Sequence, residues 1–209
     1  MCYSANASIG SFLVSLLGCS YLFLRNKPAD RLFAVILLGV SLMQIGEYMM
    51  HIDQNCKNNL NYYGSVIGLL SHILIQPMFS LIAVLLFSTL KLSSIIKIVW
   101  IIMLFSNFSY SVYNWPKKNK LCSKKYKCVD NRGCQLHWPW FDVVSVPMYA
   151  ILVFIMPIWF SNLNNKLFWT LYAGISPYLL TIFYPKTSSS LWCFGGPALT
   201  IALKIFIFK

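Results

Sequence analysis

Apolar residues run along this chain in long blocks separated by short polar stretches, without the strict alternation of a half-buried sheet. A membrane-spanning helix needs about 20 mainly apolar residues. Seven such blocks are predicted, at residues 7–24, 32–50, 62–90, 95–113, 142–160, 167–184 and 191–208. The third is long enough to tilt or bend, and Pro77 within it removes a helical hydrogen bond and predicts a kink. Only KLSS separates the third block from the fourth. A count of six is the rival, with 167–184 and its Pro177 forming a re-entrant segment. The expected fold class is all-α: one integral membrane bundle over residues 1–209, with a long basic loop at 114–141.

Composition supports lipid as the solvent. Hydrophobic residues make up 58% of the 209 and charged residues only 11%, against about a quarter charged in a soluble domain. The net charge of +12 would suit nucleic acid if it formed a stripe. The basic residues instead sit between apolar runs, as loop anchors and topology signals, so the expected partner is the bilayer and not nucleic acid. Trp115, Trp138, Trp140, Trp159, Trp169 and Trp192 fall at or near predicted helix ends, where indole favours the membrane–water interface.

Charge then sets an expected orientation. Residues 1–24 hold no Lys or Arg, whereas Arg25, Lys27 and Arg31 follow the first apolar block, which argues against a cleaved signal and for an outside N-terminus. Arg25, Lys27, Arg31, Lys91, Lys97, Lys166 and Lys209 share one side of the seven-span arrangement, and short basic loops favour the cytoplasm. The long loop opposes this with six Lys and Arg132. Cysteine weighs the other way: Cys2, Cys56, Cys122, Cys128, Cys134 and Cys193 all fall on the opposite, outer face, and only Cys19 lies elsewhere. Six cysteines on one face fit an oxidising compartment and a disulfide-braced cap, with the pairing open. Packing of free cysteines as small hydrophobes is the competing explanation.

The densest chemistry stands in QIGEYMMHID, residues 44–53. Glu47 and His51 are four apart and share a helix face, with Gln44 a turn deeper and Asp53 just beyond. His72 and Gln76 repeat the spacing in the next helix, and His137 precedes the fifth with Asp142 close behind. Ionisable groups within a membrane are costly and face a bundle interior or a wet cavity. Glu47, His51, His72 and His137 are therefore expected around a polar pocket beneath the cap. Imidazoles with carboxylates can hold zinc or another transition metal with an open position for water. Glu47 would then be the base of a lipid hydrolase. The same groups can relay protons, bind a polar solute, or simply hydrogen-bond helices together. Cys122, Cys128, Cys134 and His137 match structural zinc spacing poorly. Lys204 near the end of the last block reads as a snorkelling lysine better than as a Schiff-base site. The sequons at Asn6 and Asn107 are weak, since Asn6 abuts the membrane and Asn107 lies inside a span.

MCYSANAS, MQIGEYMMHIDQNC, GLLSHILIQPMF, CQLHWPW and SLWCF together resemble an uncharacterised family of small multi-pass membrane proteins found in bacteria and large DNA viruses. The resemblance implies that Cys2, Glu47, Asp53, Cys56, His72, Gln76, Pro77, Cys134, His137, Trp192 and Cys193 belong to its pattern, and it implies no activity. Loops rich in Lys and Asn suit an AT-rich genome, so a giant virus of amoebae, and a virion or host membrane, is the expected setting. The chain is similar to alkaline ceramidases and the adiponectin-receptor family in span count and histidine number alone, with no histidine after His137. The leading expectation is binding or transport of a small polar ligand or ion. A metal-dependent hydrolase and a structural membrane component are the alternatives.

Overall fold

The computed structural model describes residues 4–117, 121–128, 134–161, 163–172 and 188–207. Its helices are α1 (Ala5–Leu24), α2 (Pro28–Ile52), α3 (Leu60–Phe87), α4 (Ser94–Tyr113), α5 (Val146–Trp159), α6 (residues 166–172) and α7 (Ser188–Phe206). The first four are long and apolar enough to cross a membrane. Helix α5 is shorter, because Pro147 starts it after a 3₁₀ turn at Phe141–Val143; the expected span at 142–160 therefore begins later. Most of the expected sixth span, with Pro177, lies outside the described residues.

Ser4 starts α1 by accepting the Ala7 N–H at 3.1 Å, and Ser93 starts α4 by accepting that of Ile96 at 3.3 Å. Pro28 opens α2, where a missing N–H costs nothing. Helices α1 and α4 bury only narrow stripes, Ser8, Ser15, Cys19 and Leu22 on one and Trp100, Asn107 and Ser111 on the other. Their remaining apolar faces are directed outward. Helix α2 is the central post, with two thirds of its apolar window buried, packed against α1, α3 and α7.

The last part of α2 and the first part of α3 meet backbone to backbone. A Cβ on Gly46 would sit 2.8 Å from the Gly64 carbonyl oxygen, and one on Gly64 only 2.5 Å from the Gly46 carbonyl oxygen. Gly68 is pressed against Met43 and Trp140. Gly64 and Gly68 are four apart, the small-residue spacing that lets helices approach closely in lipid.

The kink expected at Pro77 takes a specific form that recurs. Residues Ser71–Ile75 make a π-turn in α3, with Gln76 donating to Ser71 O, and Pro77 follows. Residues Ile151–Ile155 make another in α5, with Met156 donating to Ile151 O, and Pro157 follows. Each proline withholds an N–H from the carbonyl four residues earlier. In both cases a neighbouring side chain supplies the missing donor. Asn107 Nδ2 from α4 donates to Ile73 O at 3.2 Å, and Ser80 Oγ from α3 donates to Val153 O at 3.1 Å. Such replacement is what makes a broken helix tolerable in hydrocarbon. The Asn107 of the weak sequon is thus buried, its amide donating from helix to helix. Asn6 is exposed in the first turn of α1.

Opposite ends of the bundle differ. One carries a cap, in which β1 (Lys124–Cys128) pairs antiparallel with β2 (Cys134–His137), so that the long loop holds sheet. The other carries the turns 25–27, 88–93 and 160–165 and their basic residues. There Asp30 is fully buried, 3.1 Å from Arg25 Nε and 3.2 Å from Lys204 Nζ. Lys204 does not snorkel outward as its sequence position suggested: it is buried and ties α7 to the start of α2.

Candidate functional site: the polar layer beneath the cap

The cap is fastened by side chains from the α2–α3 turn. The Asp53 carboxylate accepts backbone N–H bonds from Lys57 at 3.1 Å, Asn58 at 3.2 Å and Asn61 at 3.3 Å. Those donors are the orphan groups of the turn and the start of α3, so Asp53 serves as a helix cap. Asn61 Nδ2 donates to Met50 O and to Ser123 O, at 3.0 and 2.7 Å, while its oxygen accepts the Ser123 N–H at 2.8 Å. Ser123 Oγ lies 2.9 Å from Ser65 Oγ and accepts from Trp140 Nε1 at 3.1 Å. Gln54 reaches the hairpin by accepting the Lys125 N–H at 2.7 Å. The Cys56–Cys122 disulfide, with Cα atoms 6.1 Å apart, closes the same seam.

That bridge is one instance of the expected bracing. Cys128 and Cys134 are register partners across the hairpin. Cys2 and the side chains of Cys128, Cys134 and Cys193 lie outside the described residues. Cys19 is buried and unbridged in α1.

Beneath the seam, Gln44, Glu47 and His51 are all buried along one face of α2. Glu47 follows Gly46, where α2 touches α3, and His72 stands one turn deeper than Gly68 on that helix. His72 Nδ1 is 2.9 Å from Gly68 O. A carbonyl can only accept, so Nδ1 carries the proton in this contact. Trp138, Trp140, Phe141 and Tyr149 surround the imidazole, with ring centroids 5.6, 5.9, 5.4 and 5.2 Å away. Next to it runs a side-chain relay. Tyr149 OH donates to Gln76 Oε1, and Gln76 Nε2 donates to Ser71 Oγ at 2.9 Å. Ser71, His72, Gln76 and Tyr149 thus collect around the two π-turns.

Other members of the expected set stand in the cap and its turns. His137 is part-buried on β2, opposite Lys124 in register. Asp142 is exposed in the 3₁₀ turn, so it does not line the layer as its sequence position suggested. Asp53 is likewise occupied as a cap. Among the described residues no group of three or more His, Cys, Asp or Glu is placed to hold a metal ion.

Sequence reasoning missed Asn61, Ser123, Ser71 and Tyr149. Tyr149 was hidden because its contact with Gln76 joins residues 73 apart. A signal did exist for the closeness of α2 and α3, in Gly64 and Gly68 four apart. Another existed for the plug over His72, in the WPW run at 138–140.

The fold and site define a helical protein with, among the described residues, four helices long and apolar enough to cross a membrane, a disulfide-closed cap and a buried polar layer. No family model matches the chain, and no curated protein or solved structure matches it.

Proposed function

We propose that this protein binds or transports a small polar ligand or ion through the layer formed by Glu47, His51, His72, Gln76 and Tyr149. The observation that carries the reading is the coincidence of two π-turn, proline-broken helices with that layer. Ser80 and Val153 join the two breaks directly, and His72, Gln76 and Tyr149 stand on the cap side of the junction. Broken helices in paired positions, with polar side chains beside them, are where transporters build their midplane sites. π-turns gather at functional sites for the same reason, since they re-aim side chains and loosen the ladder. Packing alone would not call for a histidine, a glutamine and a tyrosine at this depth.

We place the cap outside and the basic turns inside. The Cys56–Cys122 bridge supports this, because disulfides persist in oxidising compartments, and so do the short basic turns at the other end. The family resemblance and a viral membrane setting belong to the same proposal.

The test is proton flux into proteoliposomes holding a pH-sensitive dye under an imposed potential, with wild type beside Gln76→Leu and Glu47→Gln. A flux reduced in both variants while they remain folded supports an ion path through the layer. Equal flux in all three, or none beyond protein-free vesicles, removes the proton form of the proposal. The hydrolase alternative is tested separately by metal content per chain in wild type and His72→Ala protein.

A further inference from the structure

We propose a second disulfide in the cap, Cys128–Cys134, which closes the hairpin at the end opposite the Cys56–Cys122 bridge. The backbone register carries the inference. The ladder pairs Lys124 with His137, Lys125 with Leu136 and Tyr126 with Gln135. Continued without a break, it would set Lys127 opposite Cys134. A register shift between Tyr126 and Cys128 sets Cys128 there instead. An extra residue in a strand interrupts the ladder and bends it, and here it brings one cysteine opposite the other. Facing residues of an antiparallel pair lie about 4.5 or 5.5 Å apart at Cα, inside the span of about 4.4–6.8 Å that a disulfide bridges.

The hairpin has need of such a tie. Two strands alone are marginally stable, and KKYKC sets three lysines in the five residues of β1. Its foot is held by Gln54, which accepts the Lys125 N–H, and by Asn61 and Ser65 at Ser123. From Lys124 to Cys128 the strand rises about 13 Å, so Cys128 and Cys134 lie well away from Cys122, which Cys56 already occupies. Cys19 is buried in α1. The strand so tied, β2, runs directly into Trp138, whose ring centroid lies 5.6 Å from that of His72. The second bridge therefore anchors the far end of the segment that carries rings onto the polar layer. It stands whether or not that layer transports a ligand.

The new bond joins the two sulfurs. Each thiol gives up a proton, and two electrons pass to a donor disulfide of a thiol oxidoreductase, which is reduced to its dithiol by two successive exchanges. Donors of that kind work in oxidising compartments, where the Cys56–Cys122 bridge also persists. Helix α7, which carries Cys193, packs on β2 as well, so Cys134–Cys193 is the competing pair.

The experiment is disulfide mapping of the whole chain, purified in detergent without reductant. Thiols are blocked with N-ethylmaleimide in denaturant, and tryptic fragments are weighed before and after reduction. The Lys and Arg positions separate every pairing: Cys128 falls in fragment 128–132, Cys134 in 133–166, Cys193 in 187–204 and Cys2 in 1–25. The Cys56–Cys122 link, which joins fragments 32–57 and 121–124, is the internal standard. Fragment 128–132 should be joined to 133–166 in a species that reduction removes, with no maleimide on either cysteine. Cys128→Ser should gain one maleimide, at Cys134, and keep the internal standard. Fragment 133–166 joined to 187–204 or to 1–25, or carrying maleimide in wild type, overturns the proposal. Should Cys128→Ser fail to fold, the wild-type map decides the point alone.

Discussion

Replacing Asn107 should matter more while position 77 is proline than after it is changed. Pro77 withholds an N–H from Ile73 O, and Asn107 Nδ2 supplies one from α4 at 3.2 Å. Asn107→Leu removes that donor and leaves a buried carbonyl unsatisfied, which costs about 1–3 kcal/mol in a protein interior. The change also removes Asn107 Oδ1, a buried oxygen with no hydrogen-bond partner, and that gain offsets part of the loss. The single variant is therefore an ambiguous test, and the coupling is a clean one. Pro77→Ala restores an N–H within reach of Ile73 O, so Asn107→Leu should cost less in that background. The expected coupling is about 0.6–1.7 kcal/mol, the range for hydrogen bonds between membrane helices, or about threefold to twentyfold in the unfolding constant. Reversible unfolding in mixed micelles, followed by helical circular dichroism for the four proteins of the cycle, measures it. Strict additivity would refute the idea that Asn107 answers the proline.

Three other changes test the frame. Gly64→Leu drives a side chain into the Gly46 carbonyl and Met49 and should cost about 3 kcal/mol or more; a melting temperature equal to wild type would contradict the close α2–α3 contact. Cys56→Ser opens a bridge between residues 66 apart and should lose up to about 4 kcal/mol by loop-closure entropy, read as a midpoint that falls toward that of reduced wild type. Asp30→Asn strands Arg25 and Lys204 beside a neutral amide and should cost about 3–5 kcal/mol. Asp30→Asn with Lys204→Met should recover part of this, and a double variant no better than the single would dismiss the ion pair.

What was readable in the sequence was whatever hydrophobic length encodes. The first four spans begin and end within a few residues of their expected places, because a block of apolar residues in lipid has no alternative to helix. Burial of Gln44, Glu47, His51, His72 and Gln76 was also legible, since polar groups within such blocks must face protein. Their partners were not. The Gln76–Tyr149 contact and the Ser123 cluster join distant segments, and nothing local announces them. The settings of Asp53 and Asp142 were hidden for a related reason. At a helix end a carboxylate is claimed by the nearest backbone N–H groups or by solvent before it can turn inward, and only the turn geometry says which. The hairpin in the 114–141 loop was hidden because KKYKC and CQLH are too short to signal strand and KKYKC is rich in lysine.

A binding site in the polar layer can be detected through the stability it confers when occupied. Thermal unfolding of the purified chain is followed against a defined panel of alkali and divalent cations, inorganic phosphate, amino acids and monosaccharides, with Glu47→Gln and Gln76→Leu beside wild type. At least one member should stabilise wild type by several degrees in a concentration-dependent way, and both substitutions should abolish the shift. Stabilisation by no member, or by the same members equally in all three proteins, would contradict it and leave the layer a hydrogen-bonded seam.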